Sequence, residues 1–394
     1  MIEYGSDKRV LLIGASVRAL AFAAIRAGWY PRCADLFADR DLQAWAPVTR
    51  IQRSQYPEGL IRWLRKSEVA APVLYTGRLE RYIRVLAEIQ KAWPLWANPA
   101  TVARAVRDPA QLARAAIQAG LPFPEWSRSP EGLPRDGTWL AKTESGVLRW
   151  YGQHLRGQVR YYQRYIPGMP ASAAFLADGR SCFWLGATQQ LLGCRWLQAR
   201  EFQWCGNLGP LRCAAPLAER LRRLGETLTS YFGLRGVFGV DFVLQDETPW
   251  LVEINPRYPA SLEVLELASA WPWFSAHAAV FMADEQSSPL RQFSCQRGPL
   301  MTGGDSCCVG KAILYAPFAL QFRLRYIAEI GPILTPAGLL SDIAIADVPH
   351  EDAFIPGRYP ILTILARGKD WTDTLNRLKQ AASQVYTALK YRSD

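Results

Sequence analysis

Apolar and polar positions alternate along this chain with two different periods, and the period switches mark its elements. Val10 to Ile13 is a continuous apolar run that stops at Gly14, the pattern of a buried strand. The turn Gly14-Ala15-Ser16 leads into a helix from Arg18 to Ala27, whose apolar members recur at helical spacing and which Gly28 ends. Pro31 to Leu36 predicts a second strand with Asp35 near its end. Val73 to Tyr75 predicts a later one that runs into Thr76-Gly77 and another helix. Strands alternating with helices predict an open parallel sheet.

The character changes between Pro94 and Pro99. Pro99 to Gly120 reads as helical, with Asp108-Pro109 as a helix start, and a proline-rich connection follows from Pro122 to Pro134. Strands are predicted at Thr138 to Lys142 and Arg160 to Ile166, then a hairpin of Ala171 to Leu176 and Cys182 to Thr188 around Asp178-Gly179. Together they predict a small antiparallel unit. Ala218 to Phe232 is an amphipathic helix ended by Gly233, and two strands lie between Gly236 and Ile254. Past a polar linker at Asp284 to Pro289 come strands at Lys311 to Tyr315 and Ile361 to Ala366 and a terminal helix from Asp373 to about Leu389. The expected class is α/β, becoming α+β in the middle of the chain.

Composition narrows the partners. With 394 residues, 49% apolar and 21% charged, the chain suits two or three globular units, and no apolar run is long enough to cross a bilayer. The opening apolar stretch suits a buried strand better than a secretion signal, so a cytoplasmic location is expected. The eight cysteines (Cys33, Cys182, Cys194, Cys205, Cys213, Cys295, Cys307, Cys308) form no Cys-x-x-Cys pair, and there are three histidines, so zinc-ligand spacing is absent. A net charge of +11 raises the question of nucleic acid. Its arginines are scattered through helical stretches such as Ala218 to Arg223, without a lysine-rich tail or an aromatic RNA-binding signature. An anionic small substrate or a nucleotide accounts for the charge better, and neither nucleic acid nor membrane is expected as a partner.

The candidate chemistry is concentrated in one segment. Gly14 with Asp35 is reminiscent of a dinucleotide site, but Arg18-Ala19 stands where the third glycine would be, so Gly14 reads as a turn glycine. The informative stretch is Gly239-Val240-Asp241-Phe242, a polar turn at Asp246-Glu247-Thr248, and Val252-Glu253-Ile254-Asn255-Pro256-Arg257. A short hairpin puts Asp241 opposite Glu253, and alternation puts Asn255 on the same face one pleat further along. Two carboxylates and an amide oxygen on one sheet face suit magnesium, which shares such sites with substrate phosphates. Arg257 offers a planar cation to phosphate oxygens.

Those residues resemble the signature of the ATP-grasp superfamily. The resemblance implies magnesium held by Asp241, Glu253 and Asn255, with manganese as a substitute, and contact of Arg257 with the transferred phosphate or the substrate. Glu263 is similar to an acid that faces the substrate. Trp139-Leu140-Ala141-Lys142 resembles the strand whose lysine reaches the ATP phosphates, and Gln163-Arg164-Tyr165-Ile166-Pro167-Gly168 resembles the hinge beside adenine. Backbone groups at Arg164, Tyr165 and Ile166 would read the base, with Gln163 near its amino group. Where the superfamily carries a multi-glycine phosphate loop, this chain has Thr143-Glu144-Ser145-Gly146-Val147-Leu148-Arg149, leaving Ser145 and Gly146 to cover the phosphates.

The resemblance implies three units: an N-terminal Rossmann-like unit over 1–98, an ATP-grasp domain over 99–290 with a nucleotide-covering subdomain at about 138–190, and a unit over 291–394 similar to the last domain of biotin carboxylase. It implies an ADP-forming ligase that joins a small-molecule carboxylate to an amine, with a homodimer as an open expectation. Gly206-Asn207-Leu208-Gly209-Pro210, the turn carrying Ser16 and Arg18, and Thr76-Gly77 look similar to elements of a branch that accompanies pterin- or furan-type one-carbon cofactors. That implies addition of an amino acid to a cofactor precursor, with Ser16, Arg18, Arg257 and Glu263 at the substrate. A bicarbonate-activating enzyme and a nucleotide-binding sensor are the alternative expectations.

Overall fold

The first apolar run becomes strand β1 (Arg9–Ile13), and β2 (Tyr30–Asp35), β3 (Val48–Arg50) and β4 (Val73–Tyr75) join it in a parallel sheet of order β3-β2-β1-β4. This is seen in a computed structural model that describes residues 8–390, except 68, 145, 156–157, 284–289, 291–306 and 339–340. β1 is apolar at successive positions because both its faces are covered. Val10 and Leu12 pack with Leu20 and Ala21 of the helix Arg18–Arg26, while Leu11 and Ile13 pack with Leu60, Leu64 and Leu86 of the helices Glu58–Lys66 and Ile83–Ala92. The turns after β1 and β4 touch so closely that a Cβ on Gly14 would stand 2.4 Å from the Thr76 carbonyl oxygen. Only glycine fits there.

A separate antiparallel sheet contains β5 (Trp126–Ser127), β6 (Trp139–Thr143), β7 (Val147–Trp150) and β8 (Val159–Arg164), in the order β5-β8-β6-β7. Trp139, Ala141, Trp150 and Tyr162 form its own small core. Strand alternation turns Leu140, Lys142, Tyr161 and Gln163 to the opposite face.

The third and largest sheet collects β9 (Met169–Asp178), β10 (Cys182–Leu192), β11 (Trp204–Gly209), β12 (Arg235–Gln245), β13 (Thr248–Asn255) and β14 (Cys308–Tyr315). After the short β15 (Leu320–Gln321), it continues with β16 (Ile343–Ala346) and, past β17 (Phe354–Ile355), with β18 (Pro360–Gly368). Its order is β13-β12-β9-β10-β11-β14-β18-β16, and β15 pairs with β17 as a separate ribbon. The expected hairpin around Asp178-Gly179 forms, but its strands belong to this sheet, because β9 pairs with β12 from Met169↔Leu244 to Asp178↔Arg235. The small antiparallel unit expected over 138–190 is therefore confined to β5–β8. Ala171, Ala173, Ala174 and Ala177 make β9 flat enough to be buried in the middle of the sheet, where the helix Ala215–Phe232 packs on it.

The C-terminal strands do not build a sheet of their own. β14 pairs with β11 from Gly206↔Ala312 to Gly209↔Val309, so the central and C-terminal parts of the chain share one sheet. The terminal helix Trp371–Lys390 covers that end through Leu378, Ala381, Ala382 and Val385. Among the described residues, no helix is long and apolar enough to cross a membrane.

Candidate active site

The β12–β13 hairpin is closed by Asp246 and Glu247, both left-handed with φ of 46° and 62°, as a two-residue turn matched to strand twist requires. That turn sets the register from Gln245↔Thr248 to Phe242↔Leu251, and a bulge between Asp241 and Phe242 then shifts it by one residue, which puts Asp241 opposite Glu253 and Gly239 opposite Asn255. Val240, Phe242, Leu251 and Ile254 enter the core, and the three polar side chains are left in one half-buried row. Asn255 Nδ2 donates to Asp241 Oδ2 at 3.0 Å, and Asn255 Oδ1 accepts from Arg257 Nη2 at 3.2 Å. Burial, and then the charge of Glu253, push the Asp241 carboxyl up to about 6.

Lys142 looks toward this row from the free face of the small sheet. It is 9% exposed; desolvation lowers its pKa, and the charges of Glu253 and Asp241 partly offset this. Among the described residues it makes no hydrogen bond or ion pair, so a buried cation and two acids attract one another without direct contact. Tyr161 lies beside Lys142 on the same face, its hydroxyl raised by burial and by Glu253.

Arg257 is fixed on three sides. Its Nε donates to Glu80 Oε2 at 3.0 Å, its Nη1 to the Tyr258 carbonyl at 3.3 Å and its Nη2 to Asn255. The turn that carries it is docked on the N-terminal sheet. Asn98 Nδ2 donates to the carbonyls of Pro256 and Arg235, both at 3.0 Å, Asn98 Oδ1 accepts from the Arg235 amide at 2.9 Å, and Tyr75 Oη donates to the Asn98 carbonyl at 3.0 Å. Sequence reasoning missed Glu80 and Asn98. Glu80 among arginines behind the Thr76-Gly77 turn, and Asn98 just ahead of Pro99, were the available signals.

Of the expected nucleotide contacts, Gln163 is 2% exposed with its Nε2 lacking any partner, a buried polar group facing the same way as Lys142. The hinge amides differ from expectation. The Arg164 N–H is taken by the Glu125 carbonyl and the Tyr165 N–H by the Thr138 carbonyl, both at 2.8 Å, because β8 continues its pairing to its end. Of the three hinge amides, that of Ile166 alone has no such bond among the described residues. The Arg164 side chain points outward to Glu125 at 3.0 Å. Ser145 lies outside the described residues, while Gly146 closes a tight turn with Thr143, donating its N–H to the Thr143 hydroxyl at 3.1 Å and accepting the Thr143 N–H at 2.8 Å.

The expected substrate residues separate. Ser16 is exposed at the mouth of the first turn. Arg18 is wholly buried and is brought together with Glu263, with which it forms a two-pronged ion pair, and with Asp347 at 2.9 Å. Lys311 Nζ donates to Glu263 Oε2 at 2.6 Å, and Asp41 stands 3.6 Å from Arg18. Burial opposes ionisation of Glu263, but the charges of Arg18 and Lys311 outweigh it and hold the carboxyl at about 2. This network joins the N-terminal helix to β14 and to the end of β16, so Arg18 and Glu263 are bonded to each other and, among the described residues, neither is bonded to Asp241, Glu253 or Asn255. Asn207, expected in a substrate-like segment, is also occupied, bonded to Thr188 and Trp204 at 2.9 Å each.

Comparisons with known proteins agree with this geometry. Residues 143–261 match the family model of the ATP-grasp domain. A curated relative, an uncharacterized protein of Methanocaldococcus jannaschii, is 29% identical over 109 residues, 27% of this chain and 24% of its own length, so the match spans about a quarter of that protein. Among solved structures, N5-carboxyaminoimidazole ribonucleotide synthetase of Thermotoga maritima superposes with a TM-score of 0.63 at 12% identity, covering 95% of this chain and 98% of that one. A biotin carboxylase of Campylobacter jejuni gives 0.68 at 12% identity, covering 98% and 95%. The biotin carboxylase domain of Hydrogenobacter thermophilus 2-oxoglutarate carboxylase, in complex with MgADP and bicarbonate, gives 0.68 at 13% identity, covering 95% and 89%. At such identities the superpositions speak for the fold, and what the family model identifies is the segment 143–261, which matches an ATP-grasp domain and contains Asp241, Glu253, Asn255 and Arg257.

Proposed function

We propose that the protein is an ADP-forming carboxylate-amine ligase that uses magnesium-ATP. The observation that carries the reading is a buried Lys142, with no ion pair among the described residues, electrostatically coupled to the facing acids Asp241 and Glu253. The residues fit a hard divalent cation that takes part of its coordination from elsewhere. Two acids and an amide lie on one face, Asp241 is destabilised as an anion, and no group of three or more His, Cys, Asp or Glu among the described residues closes a metal site by itself. Magnesium held by Asp241, Glu253 and Asn255 would neutralise charge on the ATP phosphates.

Lys142 supplies fixed positive charge to the same phosphates, and Gln163 and the Ile166 amide give the adenine edge polar partners. Arg257, held by Glu80 and Asn255, lies where negative charge moves during transfer. The terminal phosphoryl group passes to a carboxylate oxygen, giving an acyl phosphate and ADP. An amine then attacks the acyl carbon, the C–N bond forms, and phosphate leaves as the nitrogen loses its proton. The positioning required of these steps is supported by the three-sided fixing of Arg257.

Phosphate release from ATP, measured with pooled carboxylic acids and amines, tests the reading. Release that needs both an acid and an amine is expected, and Glu253→Gln is expected to lower it more than tenfold. Release that responds to bicarbonate alone would replace this reading with a carboxylase-type one. Normal turnover in Glu253→Gln would remove the site assignment.

A further inference from the structure

Anything with several negative charges that enters this site must find cations to pair with, and most arginines nearby already have an acid or carbonyl as partner. Arg257 already gives Nε, Nη1 and Nη2 to Glu80, Tyr258 and Asn255, and Arg18 is sealed inside its network. Arg107 is bonded to Glu144 at 3.0 Å, and Arg160 lies 3.4 Å from the same carboxylate. Two arginines remain, Arg78 and Arg81, on the segment that follows β4.

Arg81 gives one nitrogen to the Glu144 carbonyl, while its Nε is buried without any partner. Arg78 is exposed and makes no hydrogen bond or ion pair among the described residues. The two bracket a single 3₁₀ turn, Leu79–Arg81, whose Arg81 N–H donates to the Arg78 carbonyl at 3.0 Å. Between them Glu80 gives its carboxylate to Arg257, so the acid on that turn pairs with neither Arg78 nor Arg81. Arg78 is lowered, first by desolvation and next by the like charge of Arg81, which the weaker opposing effects of Tyr315 and Glu80 do not cancel.

The backbone adds an independent sign. Arg78 adopts φ of 73°, a left-handed conformation that a long side chain rarely takes and that costs on the order of 1 kcal/mol or more. No described contact of its side chain compensates for that strain. The place is also suitable. Arg81 ties this turn to Glu144, one step after the strand that carries Lys142, and a Cβ on Gly77 would come within 3.2 Å of the Ser16 amide nitrogen. The pair thus lies between the exposed Ser16 turn and the candidate phosphoryl-transfer row.

We infer that Arg78 and Arg81 dock a second anionic group, a phosphate or a carboxylate, of the acid whose other carboxylate is activated. The inference rests on the ligase reading for the role of that acid, and the substrate class becomes an acid with at least two anionic groups, not a simple monocarboxylate. Two guanidinium forks match either a phosphate or a carboxylate in bidentate geometry.

Calorimetric titration of the full chain with MgADP present, using inorganic phosphate, succinate and acetate as probes, tests this. Phosphate or succinate should bind, at least tenfold more weakly in Arg78→Ala and in Arg81→Ala, and not measurably in the double variant. Lys91→Ala, an exposed cation elsewhere, should bind as the parent does. Preference for phosphate assigns a phosphorylated acid, and preference for succinate a dicarboxylic acid. Acetate binding as tightly as both, no binding of phosphate or succinate to the parent, or unchanged binding in the double variant each overturns the inference. Should Arg81→Ala fail to fold, Arg78→Ala, which removes an exposed side chain with no hydrogen bond or ion pair among the described residues, decides alone. Failure of MgADP to bind the parent would sink the ligase reading, and the same titration without nucleotide would still judge the arginine pair.

Discussion

Replacing Glu263 by glutamine keeps the shape of a buried side chain and removes its charge, leaving Lys311 without its carboxylate and Arg18 with Asp347 and the more distant Asp41. The size of the loss can be worked in two ways. A carboxyl held at about 2 instead of its ordinary 4.5 contributes roughly 3 kcal/mol to folding at neutral pH. Removing one partner of a buried ion pair costs about 3–5 kcal/mol, because the remaining charge stays desolvated. Urea unfolding at neutral pH should therefore find Glu263→Gln less stable by about 3 kcal/mol, with an unchanged denaturant slope. The sign with pH follows from the direction of the shift. The folded pKa is depressed, so the contribution is complete above 4.5 and fades as pH falls toward 2. The gap between parent and variant should shrink by about 1 kcal/mol from pH ~6 to pH ~3.5. A variant within about 0.5 kcal/mol of the parent at neutral pH, or a gap that ignores pH, would refute the reasoning.

Gly206→Ala places a Cβ 1.9 Å from the Lys311 carbonyl oxygen at φ of 148°, in the joint between β11 and β14, and should cost folded yield or more than about 3 kcal/mol. Gly146→Ala meets no atom within 4 Å and should leave the unfolding midpoint in place, as thermal or urea melts of both variants would show. Arg257→Lys keeps the charge but loses the fork that reaches Glu80, Asn255 and the Tyr258 carbonyl together, so phosphate release should fall at least tenfold while MgADP affinity stays within about threefold. Arg149→Ala removes the guanidinium that lies 4.4 Å from the Tyr165 ring and 5.3 Å from the Phe202 ring and pairs with Glu201 at 2.7 Å; with the small sheet untied from the loop before β11, nucleotide affinity should weaken by about tenfold, read by calorimetry.

What could be seen in the sequence was what the chain decides locally. The β12–β13 hairpin was legible from its polar turn, and the facing of Asp241 and Glu253 was expected from a turn of Asp246-Glu247-Thr248; the chain reaches the same facing by a two-residue turn plus a bulge after Asp241, which no local pattern announces. The ends of the helix Ala215–Phe232 were nearly as legible, since Gly233 supplies its left-handed stop. Strand β9 shows the limit. Its apolar run before the Asp178-Gly179 turn identifies a strand, but nothing local says that β12, and not β8, will be its neighbour; that choice is made by long-range packing of alanines under a helix. The hinge amides mislead for a related reason, because a strand end looks free in sequence until its partners, here the Glu125 and Thr138 carbonyls, take its donors.

The substrate residues mark the same boundary in chemical terms. Arg18 and Glu263 have the residue types of a binding site, and sequence cannot distinguish a cation waiting for a ligand from one already satisfied. Their satisfaction depends on Asp41, Lys311 and Asp347, which come from three distant parts of the chain. Arg78 and Arg81 present the inverse case: ordinary in sequence, they stand out only when every neighbouring donor has been accounted for and theirs remain. Burial and pairing are thus what separate recognition from scaffolding here. Of two arginines near the same turn, the sealed one holds the units together, and the strained, unpaired one is left to meet the substrate.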